Sequence, residues 1–406
     1  ELWPCAQSAQ SCAATATARP QVQVSSRMSM RFVALALLAT TAHGASAPAL
    51  RLRGGTTTKS SAVVAESGLT PASRCLSTRG GGVPSGVMSK VDVPLLSYFA
   101  FWYLGNYYYN IFNKTAAKAG GGSEYAMIMA WIQMAVGAVY ALALWILPEA
   151  RKAPAITFTQ VMKLAPVGFF TAAAHAGAVF SLSAGAVSFA QVIKAAEPAF
   201  AAAIGYAVYG SSVSRAKLLM LVPVIGGICI ASASELDFTW ACLAAAGGAN
   251  VAAAFRGQEN KKAMAGDMKA AIGGGANAYA IGTLWSTLLL IPTVFITGEW
   301  QKMDAFLKVW EDDGLPGHTG FRFNLIMSGL TFYLYNEVST LALGKISGVT
   351  HSVANTAKRA IIIVGCAIAF GESMSPSKMA GCSIAIGGTF LYAVADDILP
   401  QKKKSA

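Results

Sequence analysis

The sequence predicts an all-α membrane protein of about ten transmembrane helices in two inverted five-helix repeats. Three observations predict it. Hydrophobic residues make up 54% of the chain and charged residues only 12%, with a mean hydropathy of +0.50, whereas a soluble domain carries about 25% charged residues. Apolar runs of about 20 residues, the length that crosses a bilayer, recur about ten times along the chain. The second half also repeats the first at a shift of 161 positions.

The runs lie near 93–113, 124–147, 157–182, 187–209, 214–233, 238–256, 275–298, 323–344, 350–370 and 377–396. They are continuous rather than alternating, which suits helices and not barrel strands. Ala and Gly are frequent in them, and small residues let membrane helices approach closely. Within the run 187–209, Pro198 leaves the carbonyl of Lys194 without its helical partner. A bend or local widening is expected there.

At the shift, Gly210 falls on Gly371, Gly226 and Gly227 on Gly387 and Gly388, and Tyr209 on Phe370. Glu197 falls on Lys358, Lys194 on Asn355 and His175 on Asn336. The shift covers five helices, and an odd number inverts the second copy in the membrane. Inverted repeats are a transporter signature, with the site near the midplane where the repeats meet. The chain therefore divides into a targeting-like region at 1–90, repeats at 91–235 and 236–398, and a basic tail at 399–406.

Function is written in the charges inside the runs. Lys194, Lys358 and Arg359 each sit at bilayer depth, where a cation costs about 2.5–3.5 kcal/mol even on the lenient insertion scale. Glu197 is the one acid close to any of them in sequence. The excess of positive charge implies an anionic ligand. A structural alternative pairs Lys194 with Glu197 at i,i+3, but it leaves Lys358 and Arg359 without partners. Glu197 is read as a counter-charge rather than a ligand contact, because it would repel an anion.

The net charge of +12 does not mark a nucleic-acid binder, since the basic residues are dispersed and the one long basic run is Lys402–Lys404. Their distribution reports topology instead. An even helix count puts both termini on one face, which carries Arg151, Lys152, Arg215, Lys217, Lys261, Lys262, Lys269 and Lys345. The other face carries Lys114, Lys118, Lys302, Lys308, Arg322 and Lys378, partly offset by acids. Arg256, Lys261 and Lys262 are read together as orienting a helix end at the membrane surface. The seven Cys show no metal or disulfide pattern and the four His are dispersed, so no metal, disulfide or cofactor is expected. No nucleophile–base set appears, which argues against an enzyme.

Residues 1–29 hold no Met before Met28, are polar and Ser/Ala-rich, and read as upstream translated sequence or a disordered extension. From Met30, Arg31 forms a short n-region and Phe32–Thr41 an apolar h-region, with cleavage expected near Gly44 or Ala47. Residues 48–90 are basic, rich in Ser and Thr, and contain Glu66 as their one acid, a composition like a transit peptide. A signal followed by a transit segment resembles the bipartite presequence of algae with complex plastids. ASAPAL resembles the ASAFAP motif of that junction, with Pro48 where an aromatic usually stands.

Five motifs, spread over about Leu95 to Val394, resemble the plastid phosphate translocators of the drug/metabolite transporter superfamily. VSFAQVIKAAEPAF (187–200) is similar to the family's helix-4 motif. THSVANTAKR (350–359) is similar to the helix-9 motif that ends in Lys-Arg. FRGQENKKAM (255–264), ANAYAI (276–281) and NYYYNIFNK (106–114) resemble elements of helices 6, 7 and 1. The resemblance implies an antiporter exchanging inorganic phosphate for phosphorylated C3 metabolites across a plastid envelope. It implies that Lys194, Lys358 and Arg359 bind phosphate and that His175 and Tyr335 contact substrate. Lys114 enters as the basic end of the helix-1 pattern, where snorkelling to the interface is the alternative. Triose-phosphate members carry Thr three positions after the His, where this chain has Ala178. Hexose-phosphate members tend to have Ala there, so hexose-, pentose- and phosphoenolpyruvate-type exchange stay open. A nucleotide-sugar-type carrier of the same fold would need a wider site. A pigment-binding antenna subunit would need matched Glu–Arg bridges between helices.

Overall fold

The computed structural model describes residues 93–236, 238–315, 317 and 320–398. The expected signal, cleavage and transit segments and the basic tail lie outside the described residues. The described residues are helical, and their one β feature is an isolated bridge between Asp313 and Leu315.

A helix covers each of the expected apolar runs, and two of the runs are split. The first half consists of α1 (Val93–Ala119), α2 (Ala126–Ile146), α3 (Phe158–Lys163), α4 (Ala165–Ala184), α5 (Val187–Lys194), α6 (Glu197–Ala207) and α7 (Arg215–Ala233). The second consists of α8 (Trp240–Ala263), a short α9 (Asp267–Ile272), α10 (Gly275–Ile296), α11 (Met303–Glu311), α12 (Phe321–Leu343), α13 (Gly348–Phe370) and α14 (Pro376–Ile398). Among the described residues, seven segments are long and apolar enough to cross a membrane. Helices α1, α8 and α12 are as long but fall short in apolarity. They carry Asn106, Asn110 and Lys114, Asn250 and Arg256, and Asn336 and Glu337, so their polar residues have to be spent on an interior.

Local chemistry sets the helix ends. The hydroxyls of Ser214, Thr239 and Ser347 accept from the backbone N–H of Lys217, Cys242 and Thr350, capping α7, α8 and α13. Helix α5 has Ala186 at its cap position and no cap of its own. The Glu372 carboxylate supplies it from the α13–α14 loop, accepting from Val187 N at 2.7 Å and Ser188 N at 3.0 Å. An acid there also meets the positive end of the helix dipole. Glu299 does the same for α2, accepting from Met127 N and Ile128 N.

Helices pack in a regular scheme: α7 on α14, α1 on α12, α4 on α8, α2 on α10, and α5 on α13. The α7–α14 contact is backbone to backbone. A Cβ at Gly227 would run into the backbone of Ala385 and Gly381, and one at Gly388 into that of Val224.

Several charges read from sequence as surface markers are instead ties between helices. Lys378 is 2% exposed and its Nζ lies 2.8 Å from the Glu235 carboxylate at the far end of α7. Arg151, from the loop after α2, pairs with the fully buried Glu337 of α12. A hydrophobic neighbourhood makes such pairing necessary, because a lone buried charge is far more costly than a paired one.

Candidate functional site

A cavity of about 240 Å³ lies between the two halves, lined from α1, α4, α5, α6, α8, α12 and α13. Its floor is the break between α5 and α6. Pro198, in the first turn of α6, cannot donate to the Lys194 carbonyl, and the chain turns through Ala195 and Ala196 before helix resumes at Glu197. The carbonyls near the break find other donors. Asn250 Nδ2 of α8 donates to Ile193 O at 2.9 Å, and the Thr389 hydroxyl of α14 reaches Ala195 O at 3.3 Å. The expected opening at Pro198 is thus a full interruption.

Lys194, Lys358 and Arg359 all line this cavity, as do His175 and Tyr335. The sequence reading puts all six candidates at one site, and the structure brings five of them together. Lys114 stands apart. Its ammonium donates to Leu182 O at 2.9 Å and Gly185 O at 2.6 Å, tying α1 to the carbonyl end of α4. It neither snorkels nor joins the cavity wall.

Four basic side chains line the cavity, because Arg256 of α8 faces it as well, and one acid, Glu197, is among the lining residues. Arg256 was expected at the membrane surface with Lys261 and Lys262. It belongs with Ala253 and Ala249, one and two turns earlier on the same helix face, where small side chains leave room for a ligand. The Glu197 carboxylate is held by Arg359 Nη2 at 2.5 Å, across the two halves. The structural alternative, a pairing of Lys194 with Glu197 within one helix, gives way to one between helices. Subtracting that pair leaves Lys194, Lys358 and Arg256 as uncompensated cations in the cavity wall.

Lys358 rests among aromatic faces. Its Nζ is 5.1 Å from the Trp102 ring centre and 5.6 Å from that of Tyr335, within range of a cation–π attraction. The other face of the site is organised around Trp102 too: His351 stacks on it at 4.7 Å and bonds Ser339 through Nε2 at 3.1 Å. On α1, Asn110 donates to Asn106 and accepts from Gln191 Nε2 at 2.9 Å, joining α1 to α5 one turn from Lys194. His175 is 3% exposed, lies 4.2 Å from the Phe332 ring centre, and neither ring nitrogen has a hydrogen-bond partner.

A site with this charge suits a dianion with several acceptor oxygens. The Arg forks provide bidentate geometry and the Lys ammoniums act as point charges.

The family model described as the Triose-phosphate Transporter family matches residues 93–393, nearly all of the described chain. The chain belongs to the Triose-phosphate Transporter family. Among its relatives, the chloroplastic triose phosphate/phosphate translocator of Flaveria trinervia is 33% identical over 332 residues, 80% of this chain and 77% of that protein. The spinach (Spinacia oleracea) protein of the same description is 33% identical over 338 residues, covering 82% and 79%. The chloroplastic phosphoenolpyruvate/phosphate translocator 1 of Arabidopsis thaliana is also 33% identical, over 323 residues, 79% of this chain and 76% of that one.

Proposed function

We propose that this protein is a plastid-envelope antiporter that exchanges inorganic phosphate for phosphorylated C3 metabolites, triose phosphate and 3-phosphoglycerate among them. The observation that carries the reading is the cavity with four cations and a single acid, built jointly by both halves. Relatives named as phosphate translocators of chloroplasts support it. Lys194 and Lys358 hold the phosphate group together with Arg359, while His175, Arg256 and Tyr335 meet the rest of the substrate.

The working architecture is ten spans in two inverted five-helix repeats, with α3–α4 and α5–α6 each counting as one. Exchanging the halves turns the α1–α12 contact into α8–α4 and maps α7–α14, α2–α10 and α5/α6–α13 onto themselves. The observed packing scheme supports that symmetry. Alternating access then rocks one repeat against the other around the site. A ligand drives that motion only by binding the occluded state better than the open ones. Phosphate does so by bridging Lys194 of one repeat and Lys358 and Arg359 of the other.

The experiment is uptake of labelled phosphate into liposomes containing the purified protein. Liposomes preloaded with phosphate, dihydroxyacetone phosphate or 3-phosphoglycerate are expected to take up label. Empty liposomes are expected to take up little, because the unloaded site would have to occlude its uncompensated cations. Equal rates in loaded and empty liposomes would overturn exchange. Uptake driven by glucose 6-phosphate alone would overturn the C3 assignment.

A further inference from the structure

The cavity contains one donor that the phosphate reading leaves unused. Residues 102, 106, 109 and 110 of α1 all line it, a spacing of i, i+4, i+7 and i+8 that defines a single helix face. Trp102, Asn106 and Asn110 have their work there already. Tyr109 is 3% exposed, and its hydroxyl has no hydrogen-bond partner. Burying a hydroxyl unpaired costs about 1–3 kcal/mol, a cost that an acceptor oxygen on a ligand offsets. The amides around it are engaged: Asn110 with Asn106, Gln191 with Asn110, and Asn336 with Phe332 O at 2.8 Å.

Position distinguishes Tyr109 from the cations. It lies two turns along α1 from Trp102, the ring that carries Lys358, which is about 10 Å along the helix axis. Its ring is 5.1 Å from that of Phe332 and 5.8 Å from that of Tyr335. His175, whose nitrogens are also unpaired, packs on the same Phe332. Lys358 and Tyr109 both neighbour the Tyr335 ring, the ammonium 5.6 Å and the Tyr109 ring 5.8 Å from its centre. A phosphate that carries a carbon skeleton extends toward Tyr109.

We propose that the Tyr109 hydroxyl is a specificity-determining residue that hydrogen-bonds a hydroxyl or carbonyl oxygen on the carbon skeleton of the organic phosphate. This rests on the reading that Lys194, Lys358 and Arg359 hold the phosphate end. The phenol is neutral, so it favours oxygenated skeletons over apolar ones without adding to the charge that selects phosphate.

The test pairs one substitution with two ligands. Inhibition of phosphate exchange by glycerol 3-phosphate and by propyl phosphate is measured on reconstituted native protein and on Tyr109→Phe. Propyl phosphate keeps the phosphate and carbon chain but lacks the hydroxyls. The native carrier is expected to prefer glycerol 3-phosphate about five- to tenfold, the value of one hydrogen bond. In Tyr109→Phe the preference is expected to fall at least threefold, the remainder resting on His175, Arg256 and Tyr335, while inhibition by propyl phosphate changes less than twofold. A merely structural hydroxyl would weaken both ligands alike and leave the ratio intact. An unchanged ratio overturns the proposal, and so does a native carrier that does not distinguish the two ligands. Failure of the phosphate reading looks different: Lys358→Ala would then exchange phosphate normally.

Discussion

Helices α5–α6 and α13 occupy matching places in the two halves, yet one is broken and the other runs unbroken from Gly348 to Phe370. At a shift of 161 positions, Glu197 and Pro198 stand where the second half has Lys358 and Arg359. The first half thus spends these positions on an acid and a helix breaker, and the second spends them on two cations. Both segments still end alike, at Gly210 and Gly371, each with φ of 64°. The Glu197–Arg359 ion pair joins the two solutions directly. The difference teaches that neither half holds a complete anion site. The first contributes Lys194 beside an opened backbone, and the second contributes charge on a rigid rod.

The sharpest way to break this comparison is to remove charge from one half at a time. Lys194→Ala, Lys358→Ala and Arg359→Ala should each lower exchange about 100-fold or more, the effect expected for a charged partner lost from a buried anion contact. Folded yield should hold for Lys194→Ala and Lys358→Ala. If either lysine variant exchanged at the native rate, the ligand would be held by one half alone. The check is initial uptake of labelled phosphate into preloaded liposomes.

A second large effect is expected where the halves meet away from the site. The shift that equates the repeats carries Lys217 onto Lys378 and Glu235 onto Asp396. The structure pairs them crosswise, Lys378 with Glu235 and Lys217 with Asp396, at opposite ends of the α7–α14 contact. The first pair has side chains 2% and 1% exposed, so Lys378→Met strands a buried carboxylate and should destabilise by about 3–5 kcal/mol. Thermal unfolding in detergent measures this. Recovery of most of the loss in Lys378→Met/Glu235→Gln would confirm that the stranded charge is the cause.

These features differ in how far they can be read from sequence. The spans are legible because a bilayer demands about 20 apolar residues, and the interruption at Lys194 is legible because Pro198 removes a donor. Lys194, Lys358 and Arg359 are legible because charge at membrane depth has few explanations, whereas His175 and Tyr335 are legible only through the family resemblance of the motifs around them. Arg256 is missed because it lies one and a half turns from Lys261 and reads as part of a basic helix end. Its signal is the face it shares with Asn250, Ala249 and Ala253, where small residues flank a polar one. The Lys378–Glu235 pair is invisible to any local pattern, since the partners are brought together only when α7 packs on α14. The repeat itself held the clue, because it maps one crosswise pair onto the other. Glu372 capping α5 likewise joins residues far apart in sequence and has no local sign.

A smaller effect tests the broken helix itself. Pro198→Ala restores the donor for the Lys194 carbonyl and lets α5 run into α6, as α13 does. Helical stability should rise by well under the about 3 kcal/mol of an interior Pro, because Pro198 stands in the first turn of α6 where proline is tolerated, while exchange should fall by about tenfold because the backbone near Lys194 closes up. Phosphate uptake and thermal unfolding together make the measurement. Unchanged exchange with raised stability would show that the break is dispensable and that the two halves need not differ.

The smallest effect should come from the other end of the α7–α14 contact. Lys217 and Asp396 pair much as their repeat mates do, but their side chains are 29% and 47% exposed. Solvent and headgroups can replace a lost partner there, and exposed pairs are worth about 0–1 kcal/mol. Lys217→Met should therefore shift unfolding by less than a third of what Lys378→Met does. The positions correspond at the 161-residue shift, so the two pairs differ mainly in burial, with Asp396 in place of Glu235 as a lesser difference. A loss as large as that of Lys378→Met would mean that the Lys217 end is also closed off from solvent in the membrane, and the burial asymmetry between the two ends would have to be given up.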